Sequence, residues 1–103
     1  MIDAYECQGI FEWNLDKAKS NIGKYRVTFE EAMSSFRDPL SLTTPDPDHS
    51  EWEDRLILMG LSVRQRLLAI VYVERDENLR LISARVADSD ERKEYEEEPG
   101  YGF

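Results

Sequence analysis

The sequence predicts an α+β domain in which two short helices lie on one face of an antiparallel sheet and a third helix closes the chain. Three observations point there. Helix-cap signatures occur at Asn14 and Thr28, close together in the first third of the chain. Strand-like apolar runs separated by polar turns fill residues 55–85. A capped and highly charged segment follows them. At 103 residues the chain makes one domain, residues 1–103, with a modest core. Residues 1–9 and 99–103 are expected to fray.

Gly9-Ile10-Phe11-Glu12-Trp13 alternates Ile10 and Glu12 against Phe11 and Trp13, which suits a short first strand. Asn14 then caps a helix in which Leu15, Ala18, Ile22 and Tyr25 recur at helical spacing. Thr28 and Glu31 form a capping-box pattern for a second helix. Its apolar stripe is Phe29, Ala32, Met33 and Phe36, and Pro39 discourages helix at Asp38. Residues 40–47 are extended or irregular, broken by Pro45 and Pro47. Arg55 to Leu61 is a strand, and residues 62–66 turn the chain into the most hydrophobic run, residues 67–73. Arg75-Asp76-Glu77-Asn78 is the next turn, and residues 79–85 complete a central hairpin. Asp88 and Glu91 repeat the capping-box logic for a helix running to about Glu98, with Tyr95 as its one large apolar anchor. A helix so thinly anchored packs weakly on its own fold.

The last strand raises the chemical question. Leu79-Arg80-Leu81-Ile82-Ser83-Ala84-Arg85 carries two arginines in an apolar segment, and a guanidinium stays charged and needs a carboxylate or phosphate partner. In a regular strand Arg80 and Arg85 point to opposite faces, so only a bulge would bring them together. The other polar residues of note are His49, Glu53, Arg55 and Ser83, with Trp13, Lys24 and Tyr25 in the helical half. A carboxylate or imidazole beside arginines meets the needs of RNA cleavage by a 2′-hydroxyl. One group takes the hydroxyl proton, cations stabilise the crowded phosphorane, and another group protonates the leaving oxygen. The same residues also admit a structural reading: Glu53 paired with Arg80 or Arg85, His49 solvated in a loop, and Trp13 in the core.

A net charge of −9 opposes long-range recruitment of nucleic acid. Residues 88–98 concentrate it: Asp88, Asp90, Glu91, Glu94, Glu96, Glu97 and Glu98 against Arg92 and Lys93 give a local −5. Cys7 is the single cysteine, which rules out an intramolecular disulfide and a thiolate metal cage. No phosphate-binding glycine loop, histidine pair at metal spacing or nucleophile elbow is present, so neither metal nor cofactor is expected. No apolar run approaches membrane-spanning length, and the N-terminus lacks a signal-peptide pattern, so a cytoplasmic location is expected.

Taken as an ordered set, Phe11-Glu12-Trp13-Asn14, Lys17-Ala18, Asn21, Lys24, Phe29-Glu30-Glu31-Ala32, Phe36-Arg37-Asp38-Pro39, His49-Ser50, Glu53-Asp54-Arg55, Gly60, Arg80-Leu81-Ile82-Ser83-Ala84-Arg85, Glu91-Arg92 and Tyr95 resemble the BrnT family of toxins. The resemblance runs from about Ile10 to Tyr95. It implies a RelE-like fold and a metal-independent endoribonuclease that cleaves RNA and inhibits translation. It also implies neutralisation by a BrnA-like DNA-binding antitoxin of ribbon-helix-helix type, through which the toxin reaches operator DNA as a co-repressor. On that basis Arg80 and Arg85 are expected to stabilise the phosphate, Glu53 and His49 to transfer protons, and Arg55 to orient the carboxylate. Lys24, Trp13 and Tyr25 are then expected to contact RNA.

Two departures stand out. Where the family commonly has Lys-His-Gly at the end of the first helix, this chain has Lys24-Tyr25-Arg26. A phenol is a poor base at neutral pH, though a possible acid. The segment after Arg85 is typically basic in the family but here reads Val86-Ala87-Asp88-Ser89-Asp90. A protein that binds the antitoxin with weak or no nuclease activity is therefore the alternative reading.

Overall fold

The computed structural model of the chain describes residues 5–46 and 54–97. In chain order the elements are β1 (Tyr5–Gln8), β2 (Phe11–Asn14), α1 (Leu15–Tyr25), α2 (Phe29–Ser35), β3 (Leu42–Pro45), β4 (Arg55–Leu61), β5 (Leu67–Arg75), β6 (Asn78–Val86) and α3 (Ser89–Glu97). The strands form one sheet of six in the order β1-β2-β6-β5-β4-β3. The fold is α+β, as the sequence predicts, but the sheet is mixed, because β2 runs parallel to β6 through Phe11 opposite Leu79 and Glu12 opposite Arg80. The expectation of an antiparallel sheet is thereby corrected. Helices α1 and α2 separate β2 from the antiparallel run β3 to β6, and that crossover is what permits a parallel pair.

The core lies between the sheet and the two N-terminal helices. Trp13, Val27, Phe29, Ala32, Leu58, Leu68, Ile70, Tyr72, Leu81 and Ala84 form it. Edge-to-face contacts join Trp13 to Phe29 at 5.8 Å and link Phe11, Phe36 and Tyr72 at 5.0 Å steps. Gly60 admits the last turn of α2, since a Cβ there would stand 2.6 Å from the carbonyl oxygen of Ser35.

The caps form where the sequence places them. The Asn14 side chain accepts from the Lys17 N–H at 3.0 Å, and Thr28 Oγ1 accepts from the Glu31 N–H at 3.0 Å. At α3 the box is reciprocal: the Asp88 N–H donates to Glu91 Oε1 at 2.9 Å and the Glu91 N–H to Asp88 Oδ1 at 2.8 Å. Glu31 is used differently. Its buried carboxylate accepts from Arg66 Nε at 2.9 Å and Ser62 Oγ at 2.7 Å, and its second oxygen pairs with Arg66 Nη2. Arg66 Nη2 also donates to the Arg26 carbonyl at 3.1 Å, so one ion pair fastens the β4–β5 turn to both N-terminal helices. Arg26 itself ends α1 in the left-handed region at φ 58°, the position where the family commonly has glycine.

The structure adds three details to the sequence reading. Residues 5–8, expected to fray, pair antiparallel with β2 as strand β1. Residues 42–45 are an edge strand on β4. Of the α1 stripe Ala18 packs against the core, whereas Leu15, Ile22 and Tyr25 are 38%, 44% and 40% exposed, and Asn21 is the buried residue of that helix.

Two stability predictions follow from these contacts. The Arg66 hydrogen bonds hold the Glu31 carboxyl below its usual range, with burial opposing them. A depressed carboxyl stabilises the fold above its unfolded value, and that stability is lost as pH falls through the folded value. Glu31→Gln should therefore lower stability by about 3 kcal/mol at neutral pH, near the low end for breaking a buried pair because Arg66 keeps some access to water. It should also flatten the loss of stability below about pH 4.5, both read by urea titrations across pH. Arg26→Gly should raise stability by roughly 0.5–1 kcal/mol by removing the strain of a left-handed non-glycine residue.

Candidate nucleic-acid interface

Between Val71 and Tyr72 of β5 the register with β6 shifts: Val71 faces Ser83, Tyr72 faces Leu81, and Ile82 is the extra residue. This is a β-bulge on β6, and it reverses the alternation of faces from there on. Leu81 and Ala84 both enter the core. Arg80, opposite Val73, and Arg85, opposite Ala69, then share with Ser83 the face turned away from α1 and α2. Arg55, also opposite Val73 from the β4 side, belongs to the same face. Three of the arginines singled out in the sequence are thus brought to one surface.

Helix α1 closes one side of this surface. Beyond Arg80 the edge of β6 has no parallel neighbour among the described residues, and the Asn21 amide takes that place. Its Nδ2 donates to the carbonyls of Ala84 at 2.7 Å and Val27 at 2.9 Å, and its Oδ1 accepts from the Ala84 N–H at 3.0 Å. A side-chain amide here substitutes for a strand's peptide group. Lys17, Ser20, Lys24 and Tyr25 on α1 and Ile82 and Ser83 on β6 line the resulting cleft, of about 230 Å³.

Both strand arginines have carboxylate partners. Glu12 Oε2 accepts from Arg80 Nε at 3.0 Å and Nη2 at 2.8 Å, while its Oε1 accepts from Asn78 Nδ2 at 3.1 Å. Glu91 takes the whole Arg85 fork, with Nη1 on Oε1 at 2.6 Å and Nη2 on Oε2 at 2.9 Å. These hydrogen bonds outweigh burial and hold the Glu12 and Glu91 carboxyls below their usual range. Helix α3, which supplies Glu91, is anchored at its other end by buried Tyr95, whose hydroxyl donates to Asp38 Oδ2 at 2.5 Å. Burial opposes ionisation of Asp38, but donors from Leu61, Tyr95 and Leu40 more than offset it and lower its pKa.

A family model described as the ribonuclease toxin BrnT of type II toxin–antitoxin systems matches residues 13–91. The chain belongs to the BrnT family. No curated protein matches it in sequence. As a BrnT toxin it belongs to a ribonuclease family that acts on RNA and is paired with an antitoxin.

Within this BrnT chain the predicted residues fare unequally. Lys24 and Tyr25 line the cleft, and Arg85, Arg80 and Arg55 lie on one sheet face. Trp13 does not fit its expected role, because it is 1% exposed and packed on Phe29, out of reach of a stacked base. His49 and Glu53 lie outside the described residues. Arg80 pairs with Glu12 and Arg85 with Glu91, while the alternative pairing with Glu53 lies outside the described residues. Lys17, Ser20 and Asn21 join the cleft without having been singled out for chemistry, and only their spacing on one side of a helix could have signalled them. Among the described residues no three His, Cys, Asp or Glu side chains gather as a metal site, and no helix is long and apolar enough to cross a membrane.

Asn21→Ala should cost about 3 kcal/mol, because it leaves the Ala84 N–H and two buried carbonyls without their partner. Faster amide exchange confined to the β6 edge at Ala84 would identify the lost contact, and wild-type melting would exclude it.

Proposed function

We propose that this chain is a metal-independent endoribonuclease with a RelE-like fold, which cleaves RNA in the cytoplasm and so inhibits translation. The observation that carries the reading is the bulge at Ile82, which sets Arg80, Ser83 and Arg85 on one face beside the cationic α1 cleft. An RNA phosphate in that cleft meets the Lys17 and Lys24 ammonium groups. Arg85 offers a planar fork for the equatorial oxygens as charge develops on the phosphorane. The 2′-hydroxyl attacks phosphorus, the bond to the 5′-oxygen breaks, and a cyclic phosphate and a 5′-hydroxyl end result. Glu53 or His49 takes the 2′-hydroxyl proton, and the other of the two, or the Tyr25 phenol, protonates the leaving 5′-oxygen. The antitoxin is proposed to be BrnA-like and DNA-binding, so that the complex occupies operator DNA.

Phosphate must compete with Glu91 for Arg85. The net charge of −9 adds a repulsive field, so RNA binding is expected to be weak and salt-sensitive. Single-turnover cleavage of a labelled RNA tests the reading. The wild-type chain should cut in excess EDTA, and Lys24→Ala and Arg85→Ala should each slow the step by about a hundredfold while the fold is kept. Glu91→Gln should tighten RNA binding severalfold. Absence of cleavage by the wild-type chain, or cleavage abolished by EDTA and restored by magnesium, would overturn it.

A further inference from the structure

The flank of α1 turned away from the cleft carries a second feature that RNA cleavage does not use. Leu15, Ala18 and Ile22 form an apolar groove floored by buried Trp13, with a volume of about 340 Å³. In the sequence this stripe has the look of a core face, but the Asn21 contact with β6 turns it outward. We propose that this groove is the docking site for the antitoxin, and that its occupant is an amphipathic helical segment with apolar anchors and basic flanks. The inference rests on the family membership, which requires an antitoxin partner, and not on the cleavage chemistry.

Shape and charge both select that occupant. The stripe extends from Leu15 to Ile22, roughly 10 Å along the helix axis, which matches about two turns of a helix presenting anchors at i, i+3 or i+4, and i+7. The rim carries Asp16 and, from the first turn of α2, Glu30, against Lys19. With a net charge of −9, two copies of this chain repel, whereas a basic partner is drawn in. Lys17, Lys24 and Asn21 lie on the opposite flank of the same helix. Antitoxin binding and RNA binding are therefore separable by mutation.

Affinities of the full chain for its purified cognate antitoxin and for a labelled RNA, measured side by side, test this. Ile22→Asp and Leu15→Asp should each weaken antitoxin binding by roughly thirtyfold or more, as loss of an interface anchor does, and leave RNA binding unchanged. Leu15 stands at the first position of α1, where an aspartate suits the helix dipole, so that variant tests the groove without endangering the helix. Lys24→Ala should leave antitoxin affinity unchanged, and added salt should weaken antitoxin binding. Wild-type antitoxin affinity in both aspartate variants would overturn the proposal. So would sedimentation showing that the chain alone is a dimer and that Ile22→Asp makes it a monomer, since the groove would then hold a second copy. A chain that cleaves no RNA would leave the antitoxin measurement intact.

Discussion

Strand β6 is paired along its whole length on one side only, and the Asn21 amide is what resolves the other. The β2–β6 pairing covers Phe11 with Leu79 and Glu12 with Arg80, after which the chain of β2 turns away into α1. An unmet N–H and C=O at buried Ala84 would cost more than most single packing contacts provide. Asn21 supplies both bonds and a third to Val27, which fixes the roll and height of α1 against the sheet. Once that roll is fixed, Lys17, Lys24 and Tyr25 must border Ser83, and Leu15 and Ile22 must face water. One polar contact thereby decides both flanks of the helix.

The bulge at Ile82 has a comparable effect on charge. A regular β6 would send Arg80 and Arg85 to opposite faces and drive one guanidinium into the core beside Leu81 or Ala84. With the extra residue, both apolar side chains stay inside and both arginines stay outside. The arginines are then neutralised locally by Glu12 and Glu91. Such partly exposed pairs contribute little to stability, so their main consequence is electrostatic: in the proposed cleavage a phosphate would have to compete with them. The acidic segment after Arg85 thus bears on the site through one defined contact, Glu91, as well as through net charge.

Much of the fold was legible in the sequence because its signals are local. Asn14, Thr28, and Asp88 with Glu91 cap the helices that their spacing predicts, and the residues 67–85 hairpin follows from two apolar runs and a short turn in which Asp76 takes φ 55°. The misread features are those set by partners distant in sequence. Asn21 has the composition of a surface residue, and nothing near it announces a strand edge 63 positions away. Leu15 and Ile22 carry the periodicity of a core face, yet periodicity gives the width of an apolar stripe and not the direction it faces. The bulge has no glycine to mark it, so the arginine face could be foreseen only as a condition. Trp13 was ambiguous because a strand-end tryptophan serves a core or a stacking platform equally well until burial decides.

The first departure from the family pattern puts two changed residues, Tyr25 and Arg26, at the end of α1. Arg26 occupies the left-handed position that glycine commonly fills, and its carbonyl is held by Arg66, itself clamped to Glu31. The strain of a side chain at that position is thus carried by a contact belonging to the core, not to the cleft. Tyr25, one residue earlier, has no such tether among its described hydrogen bonds and faces the cleft. A change from histidine to tyrosine therefore alters the chemistry available at the cleft without altering what positions the helix, since Asn21 and the Glu31–Arg66 pair do that independently. The contacts that hold this helix end are thus separate from the side chain it presents to the cleft, so residue 25 can change its chemistry while the fold persists.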